Sequence, residues 1–322
     1  MIRKPPEIAA DFAHAVRLEW WTLGWMASVV AAMWLTMGGS KAMQSALIED
    51  VLSLVPAITF LVAARFEHRP ATARFPFGYH RVNSLAFMVS AVALALVGLF
   101  LVYESASTLL ARDHPTVGPM ELFGHTIWSG WAMIAALAYS IVPPVILGRI
   151  KHPVATRLHD KVLHTDALMQ KADWQTGLAG IAGITGIYFG YWWADSAAAL
   201  FIAASILKDA AGNIRIAAAE LLDGAPRELD SASIAGDALR LRQRLETRWP
   251  GGTVRLRESG RYIVAAIDGA ALPAALPPLS ELMAEEDDGW RLARLGFAPH
   301  EGGAASGAAG GEAGGQAPGE TR

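Results

Sequence analysis

Long apolar stretches separated by short polar ones dominate the chain from residue 19 to about residue 211. Six of them, at 19–38, 44–66, 82–107, 126–148, 162–189 and 192–211, reach the roughly 20 residues that a bilayer-spanning helix needs. The first is rich in Trp (Trp20, Trp21, Trp25, Trp34) and closes at Gly38-Gly39. The second contains Pro56, which has no amide donor and predicts a local bend. The third stays apolar up to Glu104, which reads as an interfacial residue. The fourth is expected to end after Pro143-Pro144. The fifth turns small and apolar beyond Asp173, where Gly177, Gly180, Gly183 and Gly186 would let another helix approach closely. Tyr191-Trp192-Trp193 reads as an interfacial aromatic belt before the sixth.

The pattern changes at Leu221-Leu222-Asp223-Gly224-Ala225-Pro226, a chain-breaking signal. Beyond it a helix is predicted at about 229–247, strands at 253–256 and 262–267, a second helix at about 276–286 and a last strand at 290–295. Residues from 301 are Gly/Ala-rich and are expected to be disordered. The expected fold is a membrane all-α bundle of six transmembrane helices with a small cytoplasmic α+β (ferredoxin-like) C-terminal domain. The expected divisions are a cytoplasmic segment at 1–18, the membrane domain at 19–223, the α+β domain at 224–300 and a tail at 301–322.

Composition fits this picture. The chain is 53% hydrophobic and 18% charged, below the roughly 25% charged residues of an ordinary soluble domain. The net charge of −3 points away from nucleic acid. The absence of cysteine excludes disulfides and thiolate chemistry. The segment 1–18 is polar and mixed, unlike a cleavable signal. Basic residues gather in the 65–81 loop (Arg65, Arg69, Arg74, Arg81) and the 149–161 loop (Arg149, Lys151, Arg157, Lys161), whereas the opposite loops carry little beyond Lys41 and Arg112. The positive-inside rule puts both basic loops, and hence both termini, in the cytoplasm of a multi-pass inner- or plasma-membrane protein.

Against this background four carboxylates stand out: Glu49 and Asp50 in the second span, Asp166 and Asp173 in the fifth. A charge at membrane depth costs roughly 2.5–3.5 kcal/mol on insertion scales, so the four need a shared reason. Glu49 and Ser53 lie four apart on one helical face, as do Met169 and Asp173; Asp166, Met169 and Asp173 form an i, i+3, i+7 stripe. Two helices facing each other would offer oxygen donors to a hard divalent cation. Such a site also carries protons, because burial favours the neutral carboxyl and a bound cation favours the ionised one. Taken singly, Met169 reads as core filler, Ser53 as a serine bonded back to its own helix, and Asp50 and Asp166 as packing residues as readily as ligands. The histidines His68, His80, His152, His159 and His164 gather at the cytoplasmic side and read as solvated loop residues, with a metal-entry site as the alternative. No nucleophile–base arrangement or phosphate-binding loop occurs, so an enzyme is not expected.

At these residues the chain resembles the cation diffusion facilitator family. Ala46-Leu47-Ile48-Glu49 with Ser53 falls where that family has its second-helix ligand pair. Phe77-Gly78-Tyr79-His80-Arg81 resembles its segment before the third helix, and Thr165-Asp166-Ala167-Leu168-Met169 with Asp173 its fifth-helix pattern. Trp193-Ala194-Asp195 and Leu221-Leu222-Asp223 resemble the two ends of its sixth helix. The resemblance covers roughly residues 17–226 and implies a homodimeric exporter that moves a divalent metal (Zn, Mn, Fe or Co, unresolved) out of the cytoplasm against protons, with no cofactor. By position it makes Glu49, Ser53, Met169 and Asp173 the metal ligands, and Arg81 with Asp223 a charge pair tying the third helix to the sixth. Asp50 and Asp166 stand beside them as second-shell or proton-carrying groups. The chain departs from the family pattern in having Glu then Ser where His or Asp then Asp is usual, Met169 where His is usual, and Tyr79 in place of the loop histidine. Two other readings compete: a carrier of the same fold moving another solute or protons alone, and a non-transporting membrane scaffold or sensor.

Overall fold

The computed structural model describes residues 5–36, 41–112, 119–122, 125–283 and 286–298. Among these residues, seven helices precede the break near residue 224: α1 (Pro6–Thr36), α2 (Lys41–Leu52), α3 (Val55–Glu67), α4 (Val82–Ala111), α5 (Ser129–Leu158), α6 (Lys161–Tyr188) and α7 (Ala194–Leu221). Four spans among them are long and apolar enough to cross a membrane: Leu47–Glu67, which comprises α3 and the end of α2, Val82–Ala111, Gly130–Leu158 and Ser196–Leu221. α1 and α6 are of similar length, 31 and 28 residues. The apolar character of α6 is diluted by Lys161, His164, Asp166, Gln170, Lys171 and Asp173. At 1.5 Å per residue the 30-residue α4 is about 45 Å long, more than the roughly 30 Å hydrocarbon core. Its ends, like those of α5, therefore reach beyond the apolar layer.

The outer faces of the helices are apolar. Leu110 and Phe201 are more than 80% exposed, and Leu96, Leu99 and Trp131 at least half exposed; lipid accounts for such a surface, water does not. Inside, small residues bring helices together. Gly98 of α4 faces Leu207 and Ile206 of α7, while Gly177 and Gly180 of α6 face Ile141 and Leu137 of α5.

Three expectations about the membrane-domain helices need correction. Pro56 does not bend a continuous helix: α2 stops at Leu52, Ser53 and Leu54 form a turn, and Pro56 sits in the first turn of α3. Proline is tolerated there because the first helical amides have no partner in any case. Pro143 and Pro144 do not end the fourth span, since α5 runs through them and Pro153 to Leu158. Membrane helices accept such prolines where neighbours satisfy the freed backbone groups. This leaves only residues 159–160 between α5 and α6, so Lys151 and Lys161 are not loop residues. Finally, residues 126–128, the start of the fourth expected span, are not helical: Pro119–Leu122 (β1) and His125–Trp128 (β2) pair antiparallel ahead of α5.

The C-terminal unit contains α8 (Gly236–Arg248) and a three-stranded mixed sheet in the order β3 (Thr253–Ser259), β4 (Tyr262–Asp268), β5 (Leu292–Ala298). β3 and β4 are antiparallel across a tight turn at Gly260; β4 and β5 are parallel. Leu241 and Leu245 of α8 share one core with Val254, Ile263, Ala265 and Ile267. The helix expected at 276–286 is replaced by two 3₁₀ turns, Leu279–Leu282 and Glu286–Arg291. Pro277 and Pro278 fall in its first turn, where the residue before each proline is pushed out of the helical region, and Pro278 itself is extended with ψ 135°. The tail from 301, and His300, lie outside the described residues.

Candidate metal centre

The break between α2 and α3 shapes the site. Ser53, fully buried in that turn, donates its hydroxyl to Asp173 Oδ1 of α6 at 2.6 Å. The same oxygen lies 3.1 Å from the Glu49 carbonyl, the back-bond expected of a helical serine. One hydroxyl proton serves one acceptor best, and the shorter, charge-assisted contact to the carboxylate is the stronger. Glu49, one turn earlier, is also buried, with Thr176 of α6 beside it. Oε1 of Glu49 and Oδ2 of Asp173 are buried without a hydrogen-bond partner. Asp50 is adjacent, and its own Oδ2 is likewise unpartnered. Glu104 of α4, expected to be interfacial, lies close enough to Glu49 to act on it through charge.

These are the marks of a cation site: hard oxygen donors, negative charge, and orphaned acceptor atoms that water does not reach. Among the described residues, no group of three or more His, Cys, Asp or Glu side chains is arranged to hold a metal ion. The oxygen set here is two carboxylates and a hydroxyl. Met169, fully buried, packs in an apolar cluster with Leu94, Val97, Leu101, Ala203 and Ile206 of α4 and α7. Leu52 and Val55, on either side of the α2–α3 turn, pack against the same cluster.

Asp166 points elsewhere. It is fully buried and ion-paired to Lys151 of α5, whose ammonium also lies 2.9 Å from Glu19 of α1. Sequence reasoning misses Glu19 and Lys151. Glu19 stands at the edge of the first span, and the apolar pattern places Lys151 in a loop; the signal that remains is Lys151 lying seven residues beyond Pro144 in an otherwise apolar stretch.

At the other end, Arg81 donates to Asp223 at 2.6 Å and to the final carbonyls of α7, Glu220 O and Leu221 O, at 3.2 and 3.3 Å. Arg257 of β3 joins the same carboxylate at 2.7 Å. The start of α4, the end of α7 and the C-terminal sheet therefore meet at Asp223. The histidines are not all solvated. His164 is buried on α6 with its ring 5.6 Å from that of His152, and His80 stacks edge-on against Tyr262.

A helix bundle with an apolar outer belt and carboxylates buried between its helices defines a multi-pass membrane protein organised around an acidic site. The chain matches the cation efflux transmembrane domain over residues 21–222 and belongs to that family, the cation diffusion facilitators, whose members are transporters rather than enzymes. It is 27% identical over 231 residues to a protein of Mycobacterium tuberculosis named "Probable cation efflux system protein", covering 71% of this chain and 65% of the relative. The chain thus spans slightly less than two thirds of that relative. It is 26% identical over 235 residues to the cation-efflux pump FieF of Salmonella agona, covering 72% of this chain and 71% of the relative. It is also 27% identical over 197 residues to a cadmium, cobalt and zinc/H⁺-K⁺ antiporter of Bacillus velezensis, covering 58% of this chain and 55% of that protein.

Proposed function

We propose that the protein exports a divalent metal cation from the cytoplasm in exchange for protons, with Glu49, Ser53 and Asp173 as the oxygen ligands and Met169 packed in the apolar cluster beside the α2–α3 turn. The observation that carries this reading is the buried contact from Ser53 to Asp173, flanked by orphaned oxygens of Asp173 and Glu49. The Bacillus velezensis relative is named an antiporter, which supports the exchange. The metal is the substrate. In the inward-facing state it displaces protons from the carboxyls; the bundle then rocks and opens outward, where protons displace the metal. Both termini lie in the cytoplasm in this reading, and the protein works as a homodimer whose 224–300 unit is a separate cytoplasmic domain.

The test is metal-driven proton flux in proteoliposomes holding the full chain, assayed with Zn²⁺, Mn²⁺, Fe²⁺, Co²⁺ and Cd²⁺. At least one ion should drive flux, and Glu49→Ala and Asp173→Ala should each abolish it. No flux with any of the five, or full flux in Asp173→Ala, would sink the proposal.

A further inference from the structure

Glu19, Lys151 and Asp166 are each 0% exposed, and none belongs to the metal centre. They come from three helices: α1, α5 and α6. The Lys151 ammonium lies between the two carboxylates, 2.9 Å from Glu19 Oε2 and in contact with Asp166 Oδ2. The remaining oxygens, Glu19 Oε1 and Asp166 Oδ1, are buried and have no hydrogen-bond partner. Charge counting then decides the resting state. With all three groups ionised the triad holds one net negative charge out of reach of water. A buried charge without a partner is unfavourable whatever its sign. One added proton makes the triad neutral and supplies a hydrogen where acceptor atoms stand orphaned.

We infer that Glu19, Lys151 and Asp166 form a proton-binding site, separate from the metal centre, that holds one proton shared between the two carboxylates and gives it up when a divalent cation binds at Asp173. The inference rests on the transport function proposed above. Asp166 and Asp173 are seven residues apart on α6, two turns or about 10 Å along the axis, near enough for the charge of one to act on the other. A cation at Asp173 favours the ionised form of nearby carboxyls. The step is a simple dissociation: the carboxyl O–H bond breaks, the proton passes to the water admitted as the bundle rocks between its two states, Lys151 stays protonated, and the triad passes from neutral to singly negative. The other charged group near enough to act on Glu19 is Asp160, which is itself paired with Arg261 at 2.5 Å. Lys151 thus limits the site to one proton, where two unaccompanied carboxylates would hold two.

Two measurements on the purified full chain test this, with wild type, Glu19→Gln and Asp166→Asn side by side. Infrared spectroscopy should show a protonated-carboxyl band in the wild type that is weaker in both variants, since each substitution leaves one carboxylate neutralised by Lys151. Two independent variants guard against one failing to fold. Calorimetry with Zn²⁺ in buffers of different ionisation enthalpy should show one proton fewer released per metal bound in each variant, with Zn²⁺ still bound. An unchanged band in both variants removes the proton site. A lost band with unchanged proton release leaves the triad a proton site that does not respond to the metal and overturns the coupling. If the wild type binds no Zn²⁺ and the other four ions drive no flux, the transport function falls and the coupling with it, while the infrared result still decides the proton site by itself.

Discussion

At the scale of single residues, burial separates groups that look alike in the sequence. Glu49, Asp50, Asp166 and Asp173 are four acidic residues in two apolar segments, and the cost of such placement is enough to mark them. Helical spacing puts Asp166, Met169 and Asp173 on one stripe. A stripe about 100° wide touches more than one neighbouring helix, however, and the three side chains divide accordingly: Asp173 towards Ser53, Met169 into the apolar cluster with α4 and α7, Asp166 towards Lys151. Nothing in the spacing reveals which neighbour each one meets. Ser53 is the most informative of the set, because its hydroxyl holds Asp173 in place. Groups that orient a metal-binding side chain typically matter 10–100-fold in affinity. Ser53→Ala should therefore weaken Zn²⁺ binding by about 10-fold or more while leaving the protein folded, and Ser53→Thr should restore most of it. Calorimetric titration of the three proteins checks this; equal affinity in Ser53→Ala and wild type would remove the serine from the site.

Elements are legible where apolar length and small residues carry the signal. α3, α4 and most of α6 fall where the pattern puts them, because a long apolar run surrounded by lipid has few alternatives to a helix. The ends are harder. Proline normally marks a helix boundary, yet α5 passes through Pro143, Pro144 and Pro153. The pairing of β1 with β2 leaves no clear alternation in two strands of four residues. The glycines of α6 have a specific use: a methyl group on Gly177 would lie 2.7 Å from Ile141 of α5, and one on Gly180 3.2 Å from Leu137. Overpacking of this kind costs about 1–3 kcal/mol. Gly177→Ala should lower the thermal unfolding temperature of the detergent-solubilised protein, and Ile141→Ala, which removes the Cγ1 and Cδ1 atoms the new methyl would meet, should recover part of the loss when the two are combined. Gly212, where a methyl group would meet nothing within 4 Å, is the control that should tolerate alanine.

At the scale of the whole molecule, the C-terminal sheet is anchored in the helix bundle by charge. The β3–β4 turn enters between the helix ends: Gly260 has φ +64° and donates its amide to Ser84 of α4 at 3.0 Å, and that serine donates to Glu220 of α7 at 2.5 Å. Next to it Arg261, 1% exposed, pairs with Asp160 at 2.5 Å and Glu67 at 3.2 Å and lies 4.8 Å over the ring of Phe12. Tyr262 donates to Glu67 at 2.9 Å, and burial together with that carboxylate raises its phenol above the usual range, so it remains a donor throughout the physiological pH span. Lys161 at the start of α6 pairs with Glu258 of β3 and, at 3.5 Å, with Glu220. These contacts link α1, α3, α4, α6 and α7 to one strand pair. They are invisible in the sequence because each member looks like an ordinary charged residue near a helix end, and only the fold brings residues 67, 160 and 261 together. Removing one partner from a buried ion pair leaves the others charged and unsatisfied, at about 3–5 kcal/mol. Arg261→Met should therefore destabilise the protein by about that amount. Replacing the exposed Arg255, whose partner Asp268 ends the central strand β4, should change stability by less than about 1 kcal/mol. If the carboxylates left behind are the cause, adding Asp160→Asn to Arg261→Met should recover stability rather than lose more. A double-mutant cycle read by chemical denaturation in detergent decides between the two, and additive losses would show that Arg261 acts through packing on Phe12 instead of charge.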